Sequence, residues 1–314
     1  MSFPTILESI SDLNREQIEH LLISSKTKIN LTDNGQYWER YTSKFKTKPI
    51  ISTFFFEPST RTKNSFLVAA LRSGCHTLDF KADESSIKKG EQLDETIKTL
   101  KYQGVELIII RSNKANILNE FKINPIIPMI NGGDGSNQHP TQALTDLFTA
   151  LNLKHIKENQ NLLIVGDAKY SRVIHSLIPM FKLWNINILI STLSYFLPND
   201  MDNIEYIEDI NQALAKADMV YILRPQIERH TSDSDEYKEI FNELVSKYKI
   251  TAKRLNNLNK FVPIYHPGPA NIGVEIDEEI IKSKNYQAYQ QVKHSIFMRM
   301  SLIEESILNY RKPR

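Results

Sequence analysis

The chain is poor in several things that would each announce a function. It holds one cysteine, Cys75, in 314 residues, so no disulfide can close within it, and a reducing compartment, the cytoplasm, is the expected setting. Cys75 lies in Arg72-Ser73-Gly74-Cys75-His76-Thr77, a helix end leading into a strand, and reads as a small buried residue. Long apolar runs are missing: stretches such as Leu107-Ile108-Ile109-Ile110 are too short to cross a bilayer. Met1-Ser2-Phe3-Pro4 is not a basic region followed by an apolar one, so no signal peptide is expected. Charge is not lopsided, with 39 Lys and Arg against 37 Asp and Glu, and nothing calls for nucleic acid or an anionic membrane as partner. The 8 histidines are scattered, with no His-Glu-x-x-His and no paired cysteines, so no metal is expected. Gly-x-Gly-x-x-Gly is absent as well, which argues against a dinucleotide cofactor.

What is present is periodic. With 41% hydrophobic and 24% charged residues the composition is that of a globular protein, and the length fits two domains. Short apolar runs alternate with longer amphipathic segments. Strands are expected at 49–56, 76–80, 106–111, 126–130, 162–166, 186–191, 219–223 and 261–265, most of them apolar on both faces as central parallel strands are. Helices are expected at 60–73, 92–103, 141–153, 171–184 and 210–217, with a last one at about 295–310. The alternation predicts α/β architecture with two doubly wound parallel sheets. The polar run Lys154–Gln160 marks a boundary, giving domains at 1–150 and 151–291, with a terminal helix over about 292–314 packing back on the first. Polar residues 229–237 read as a mobile loop.

Ligands of open α/β sheets sit at the carboxyl ends of strands, and the chemically interesting residues cluster there. Phe54-Phe55-Phe56-Glu57-Pro58-Ser59-Thr60-Arg61-Thr62 runs from a buried strand into a helix. Hydroxyls, unpaired amides and a guanidinium at a helix start form an anion site. Taken singly, Ser59 or Thr60 is an ordinary helix cap and Arg61 a solvated charge; the strand directly before them favours the anion. Arg111 closes another strand, either as a rim charge or as a second ligand. The glycine-rich run Asn131–Gln138 enters a helix at His139-Pro140-Thr141-Gln142, placing His139 and Gln142 on one face of its first turn. An imidazole there can donate to a carbonyl oxygen, and an amide can accept from an NH2. Arg172 follows the strand-turn Val165-Gly166-Asp167, and Arg224, Gln226 and Arg229 follow another strand; these can bind carboxylates or lie in solvated loops. His266-Pro267-Gly268-Pro269 is a rigid loop that presents carbonyls, with Gly268-Pro269 a candidate cis bond.

Together these segments closely resemble the catalytic chains of the aspartate carbamoyltransferase family, nearly end to end. The Ser59-Thr60-Arg61-Thr62 segment marks carbamoyltransferases in general. Arg224-Pro225-Gln226-Ile227-Glu228-Arg229 resembles the aspartate branch, whereas the ornithine branch typically shows His-Cys-Leu-Pro at the position of His266-Pro267-Gly268-Pro269. The resemblance also covers Lys88-Lys89-Gly90-Glu91 and the run Gly133–Gln142.

The resemblance implies transfer of the carbamoyl group of carbamoyl phosphate to L-aspartate in pyrimidine synthesis, with no cofactor, in a cleft between the two domains. It implies phosphate binding by Ser59, Thr60, Arg61 and Thr62, and a carbonyl oxygen held by Thr62, Arg111 and His139. Gln142 and the backbone carbonyls at Pro267 and Gly268, in the loop that ends at Pro269, would hold the carbamoyl NH2. Arg172, Arg224, Gln226, Lys89 and also Gly268 would serve aspartate. Ser86 and Lys89 match the family's loop that enters a neighbouring subunit's site, so a homotrimer is implied, alone or as a dimer of trimers with a regulatory or dihydroorotase-like partner. Glu57 would pair with Arg172 and Arg229 on domain closure. Gly268 stands where the family usually has Leu or Ala, and Ile272 where related bacterial chains often carry Arg. A carbamoyltransferase for another amine such as ornithine, and a non-catalytic binding or regulatory relative, are the competing readings; assays with both amines separate the first, and tight ligand binding without turnover would mark the second.

Overall fold

In a computed structural model, residues 2–33, 45–81, 90–226 and 235–313 are described. The chain forms two compact units, Met1–Phe148 with Val292–Arg314, and Thr149–Gln291. Each contains one five-stranded, wholly parallel sheet. Among the described residues no helix is long and apolar enough to cross a membrane.

The first unit runs β1 (Ile6–Leu7), α1 (Arg15–Asp33), β2 (Ile50–Phe55), α2 (Thr60–Arg72), β3 (His76–Phe80), α3 (Leu93–Tyr102), β4 (Val105–Ser112), β5 (Met129–Asp134) and α4 (Pro140–Asn152). Its strand order is β1-β5-β4-β2-β3. The chain steps outward from β2 to β3 and then crosses to β4 on the other side of β2. The order therefore reverses between β2 and β4, the position where such sheets open a crevice. Phe55 is the register partner of Arg111 there. The core beneath is built from Phe54, Ile97, Ile108, Ile110, Phe121 and Met129, each contributing about 2 kcal/mol by burial. β3, with His76 and Asp79, is the exception to the all-apolar expectation: it is an edge strand and largely exposed.

The second unit runs β6 (Asn161–Gly166), α5 (Arg172–Lys182), β7 (Asn187–Ser191), β8 (Ile204–Tyr206), α6 (Ile210–Lys216), β9 (Met219–Leu223), α7 (Asp235–Tyr248), α8 (Ala252–Asn256), β10 (Ile264–Tyr265), α9 (Glu278–Ile281) and the start of α10 (Ala288–Tyr310), which belongs to the first unit from Val292 on. The order β10-β9-β6-β7-β8 reverses between β6 and β9. Gly166 faces Leu223 at that point, with φ +109°; a Cβ on it would lie 2.2 Å from the Leu223 carbonyl oxygen, so only glycine fits.

Two expected strands moved for a reason visible in the sequence. The strand expected at 126–130 lies at Met129–Asp134. Pro125 and Pro128 lack the N–H a ladder needs, so pairing starts beyond them and runs through Gly132-Gly133. The strand expected at 261–265 shrinks to Ile264–Tyr265 beyond Pro263, with Phe261 46% exposed. The polar segment 229–237 lies outside the described residues up to 234, and α7 begins at Asp235, with Tyr237 buried rather than in a loop. The last helix starts at Ala288, earlier than the apolar pattern indicated. Beyond residue 292 it packs in the first unit: Asn309 Nδ2 donates to the Phe3 carbonyl at 2.7 Å, Lys28 pairs with Glu304 at 2.7 Å, and Arg311 meets Glu106 at 2.6 Å. Cys75 is buried, as expected, and burial pushes its thiol up to about 12, which makes it unreactive.

Candidate active site

The anion segment of the first unit sits at the carboxyl end of β2. Ser59 is the N-cap of α2, yet its side chain makes no capping hydrogen bond. The ordinary cap reading of Ser59 therefore fails. Thr60 and Arg61 are exposed on the first turn, while Thr62 is 5% exposed and faces inward. Thr62 Oγ1 lies 3.3 Å from His139 Nε2, joining two segments 77 residues apart. His139 is itself buried, just before α4, with Nδ1 3.5 Å from Thr141 Oγ1. Arg111 Nη1 donates to the Gly132 carbonyl at 3.3 Å, and its Nε lies 3.4 Å from Glu57 Oε2. Register thus brings Arg111 from β4 and Glu57 from the end of β2 to the same crevice.

Gln142 carries more information than its position on the helix did. Its Nε2 donates to Asp146 Oδ1 at 2.8 Å. A carboxylate only accepts, so it fixes which end of the amide is which, and Oε1 of Gln142 is left as the acceptor. Asp146, fully buried, was not singled out in the sequence; its only signal is the four-residue spacing from Gln142.

Two further braces were also missed. Asp134 is fully buried and accepts from Asn116 N, Asn131 Nδ2, Asn137 Nδ2 and Gln138 N at 2.7–2.9 Å, folding the glycine-rich run that delivers His139. Arg299, from α10, is buried beneath the first turn of α2. Its Nη1 donates to Ser65 Oγ at 2.5 Å, and its guanidinium lies 5.0 Å from the Phe66 ring centre. Ser65 Oγ in turn reaches the Arg61 and Thr62 carbonyls at 2.7 and 2.9 Å. Burial pulls the Arg299 guanidinium below its ordinary value; Asp146 opposes that fall and Arg111 adds to it. A cation buried in a helix looks like a sequence error until its partners are known, which is why sequence reading passed over it.

In the second unit Arg172 opens α5 and is 8% exposed. Arg224 follows β9, half-buried, with Nη1 3.4 Å from the Pro225 carbonyl. Gln226 Nε2 donates to the Arg224 carbonyl at 3.5 Å. The organiser is Asp167, another buried residue, which the sequence offers only as part of the turn Val165-Gly166-Asp167. It takes the Tyr170 N–H at 3.2 Å on one oxygen and the Gln226 N–H at 2.9 Å on the other. It therefore ties the loop after β6 to the loop after β9 across the point where strand order reverses. Pro267, Gly268 and Pro269 follow β10; Gly268 has φ +70° and the Gly268-Pro269 bond is cis. Ser86, Lys89 and Arg229 lie outside the described residues.

Each unit therefore carries a crevice at its switch point, one with hydroxyls, an imidazole and two arginines, the other with arginines and an amide. Comparison with known proteins follows the same division. The carbamoyl-P binding domain model of aspartate/ornithine carbamoyltransferases matches residues 7–152, and the Asp/Orn binding domain model matches residues 158–305. The aspartate carbamoyltransferase catalytic subunit of Malacoplasma penetrans is 35% identical over 305 residues, covering 96% of this chain and 95% of that protein. Among solved structures, the catalytic subunit of M. Jannaschii aspartate transcarbamoylase superposes with a TM-score of 0.83 at 28% identity, covering 98% of this chain and 100% of that one. The Trypanosoma cruzi aspartate transcarbamoylase, in complex with carbamoyl phosphate and aspartate, gives 0.83 at 25% identity, covering 96% of each. This chain belongs to the aspartate/ornithine carbamoyltransferase family, among the catalytic subunits of aspartate carbamoyltransferase.

Proposed function

We propose that this chain transfers the carbamoyl group of carbamoyl phosphate to the amine of L-aspartate, giving N-carbamoyl-L-aspartate and phosphate, in cytoplasmic pyrimidine synthesis. The observation that carries the reading is the 3.3 Å approach of Thr62 to His139, with Arg111 on the strand that pairs with β2. In this reading Arg111 joins them, so that three donor-bearing side chains from three segments serve a carbonyl oxygen as it gains negative charge.

Ser59, Thr60, Arg61 and Thr62 hold the phosphate on the first turn of α2, where helix amides and dipole favour an anion. Thr62, Arg111 and His139 donate to the carbonyl oxygen. Gln142 Oε1, freed as acceptor by the bond from its Nε2 to Asp146, takes the carbamoyl NH2 together with the Pro267 and Gly268 carbonyls. Arg172, Arg224 and Gln226 take the aspartate carboxylates. The neutral amine attacks the carbonyl carbon, charge gathers on the oxygen, and phosphate leaves with its charge held by Arg61 and, from a neighbouring subunit, Lys89 and Ser86. Each preorganised donor to the oxyanion contributes about 3 kcal/mol in comparable sites, and fixing both substrates lowers the barrier further. The chemistry needs no cofactor. The acceptor is aspartate rather than ornithine in this reading because Arg172 and Arg224 offer two cations, which match an acceptor with two carboxylates better than one with a single carboxylate and a second amine.

The family resemblance implies a homotrimer as the working form, with Ser86 and Lys89 serving a neighbouring subunit's site. The purified chain is expected to form N-carbamoyl-L-aspartate and phosphate in equal amounts, with a solution mass three times that of one chain. Phosphate release without carbamoyl aspartate would sink the assignment, and an active monomer would sink the shared site.

A further inference from the structure

His266 is almost wholly buried and the reaction as described gives it no task. Its surroundings nevertheless define it to the proton. Gly268 N–H donates to His266 Nδ1 at 2.8 Å. A nitrogen that accepts a backbone N–H cannot carry a proton itself, so the ring proton sits on Nε2. There it meets Glu275 Oε1 at 3.2 Å. The same oxygen accepts the Asn271 N–H at 2.6 Å, and the His266 N–H donates to Gln291 Oε1 at 3.0 Å. One imidazole and one carboxylate therefore tie both ends of the loop that carries Pro267 and Gly268.

The donor matters as much as the geometry. The Gly268 N–H and the Pro267 C=O are two ends of a single peptide unit, which is planar and trans, so they point in opposite directions. Anchoring the N–H on a buried ring turns the Pro267 carbonyl away from that ring and holds it. A hydrogen bond at the N–H also polarises the peptide, making its oxygen a stronger acceptor. Glu275, by accepting from Nε2–H, polarises the ring and makes Nδ1 a stronger hydrogen-bond acceptor in the same chain, as a carboxylate does behind a ligating imidazole.

We infer that His266, in its neutral Nε2–H form and backed by Glu275, is a positioning residue that aims and polarises the Pro267 carbonyl for the carbamoyl NH2. This rests on the reading above that the Pro267 carbonyl holds that NH2.

A pair of substitutions separates aim from packing. In His266→Asn the amide oxygen falls where Nδ1 was and still accepts the Gly268 N–H; in His266→Gln the amide falls where Nε2 was and keeps only the Glu275 side. The Asn variant should keep kcat/KM for carbamoyl phosphate within about threefold, and the Gln variant should lose about tenfold or more, the effect of one buried hydrogen bond. Equal losses in both, or the reverse order, would overturn the inference. Nitrogen-15 spectra of the histidine-labelled wild-type chain give a second reading that needs no variant to fold. The His266 ring should show a protonated Nε2 and an unprotonated, accepting Nδ1; a proton on Nδ1 would overturn the inference even if the Gln variant fails to fold. A wild-type chain that shows this tautomer but makes no carbamoyl aspartate would count against the activity, leaving the loop geometry intact.

Discussion

The two units solve one topological problem with different materials. Both open a crevice where strand order reverses, between β2 and β4 in the first and between β6 and β9 in the second. In the first, the crevice is lined by side chains on the opening turns of α2 and α4, elements held by a core that includes Phe54, Ile108 and Ile110. In the second, Arg224 and Gln226 stand on chain that follows a strand, and a single carboxylate, Asp167, keeps that chain in place through backbone N–H groups. Helix starts supply dipole and amides, which suit the phosphate of a donor. Arg224 on its loop and Arg172 on the opening turn of α5 supply charge, which suits the two carboxylates of an acceptor. Each crevice also has its own buried brace, Asp146 behind Gln142 in one and Asp167 behind Gln226 in the other.

That division can be broken by substitution. The largest effect is expected on the donor side: Arg61→Ala should leave the circular dichroism spectrum unchanged and lower kcat by roughly 100-fold or more, since it removes charge from the leaving phosphate. Near-normal turnover would remove Arg61 from the site. Arg224→Ala should act on the other side, raising the aspartate KM by about tenfold to 100-fold through loss of a charge-assisted contact. Carbamoyl phosphate affinity, read by calorimetry without aspartate, should stay put; an equal fall in both affinities would erase the distinction between the crevices. Asp146→Asn is a finer probe. It lets the Gln142 amide turn over, so the KM for carbamoyl phosphate should rise several-fold, about the value of one hydrogen bond, with the aspartate KM unmoved.

The smallest effect concerns acid stability. Burial, with Lys293 and Lys26 adding to it, holds the His294 imidazole down at about 4 in the first unit, and burial also lowers His155 in the second. The unfolded chain takes up the His294 proton near pH 6.5 and the folded chain does not until about pH 4. Stability from this residue is therefore present above pH 6.5 and lost as pH falls towards 4. His294→Gln should flatten the fall in Tm between pH 7 and pH 5; an unchanged slope would show that His294 does not drive it.

Much of this was legible because periodicity and chemistry coincide at strand ends. Residues 76–80 and 219–223 are strands to the residue, and Thr62 and His139, from segments 77 residues apart, meet at 3.3 Å. The buried residues Asp134, Asp146, Asp167 and Arg299 were not legible, because a buried charge declares itself only through partners distant in sequence. Arg299 meets Ser65 across 234 positions. Helices α1 and α7 escaped for another reason: their polar faces, as in Ser24-Ser25-Lys26-Thr27-Lys28, blur the apolar period on which the reading relied.

The most direct measurement is the rate with each amine under one set of conditions: purified chain, saturating carbamoyl phosphate, and aspartate or ornithine as acceptor. A crevice built on Arg172 and Arg224 predicts that kcat/KM for aspartate exceeds that for ornithine by several orders of magnitude, with N-carbamoyl-L-aspartate as product. Citrulline formation at a comparable rate would contradict it.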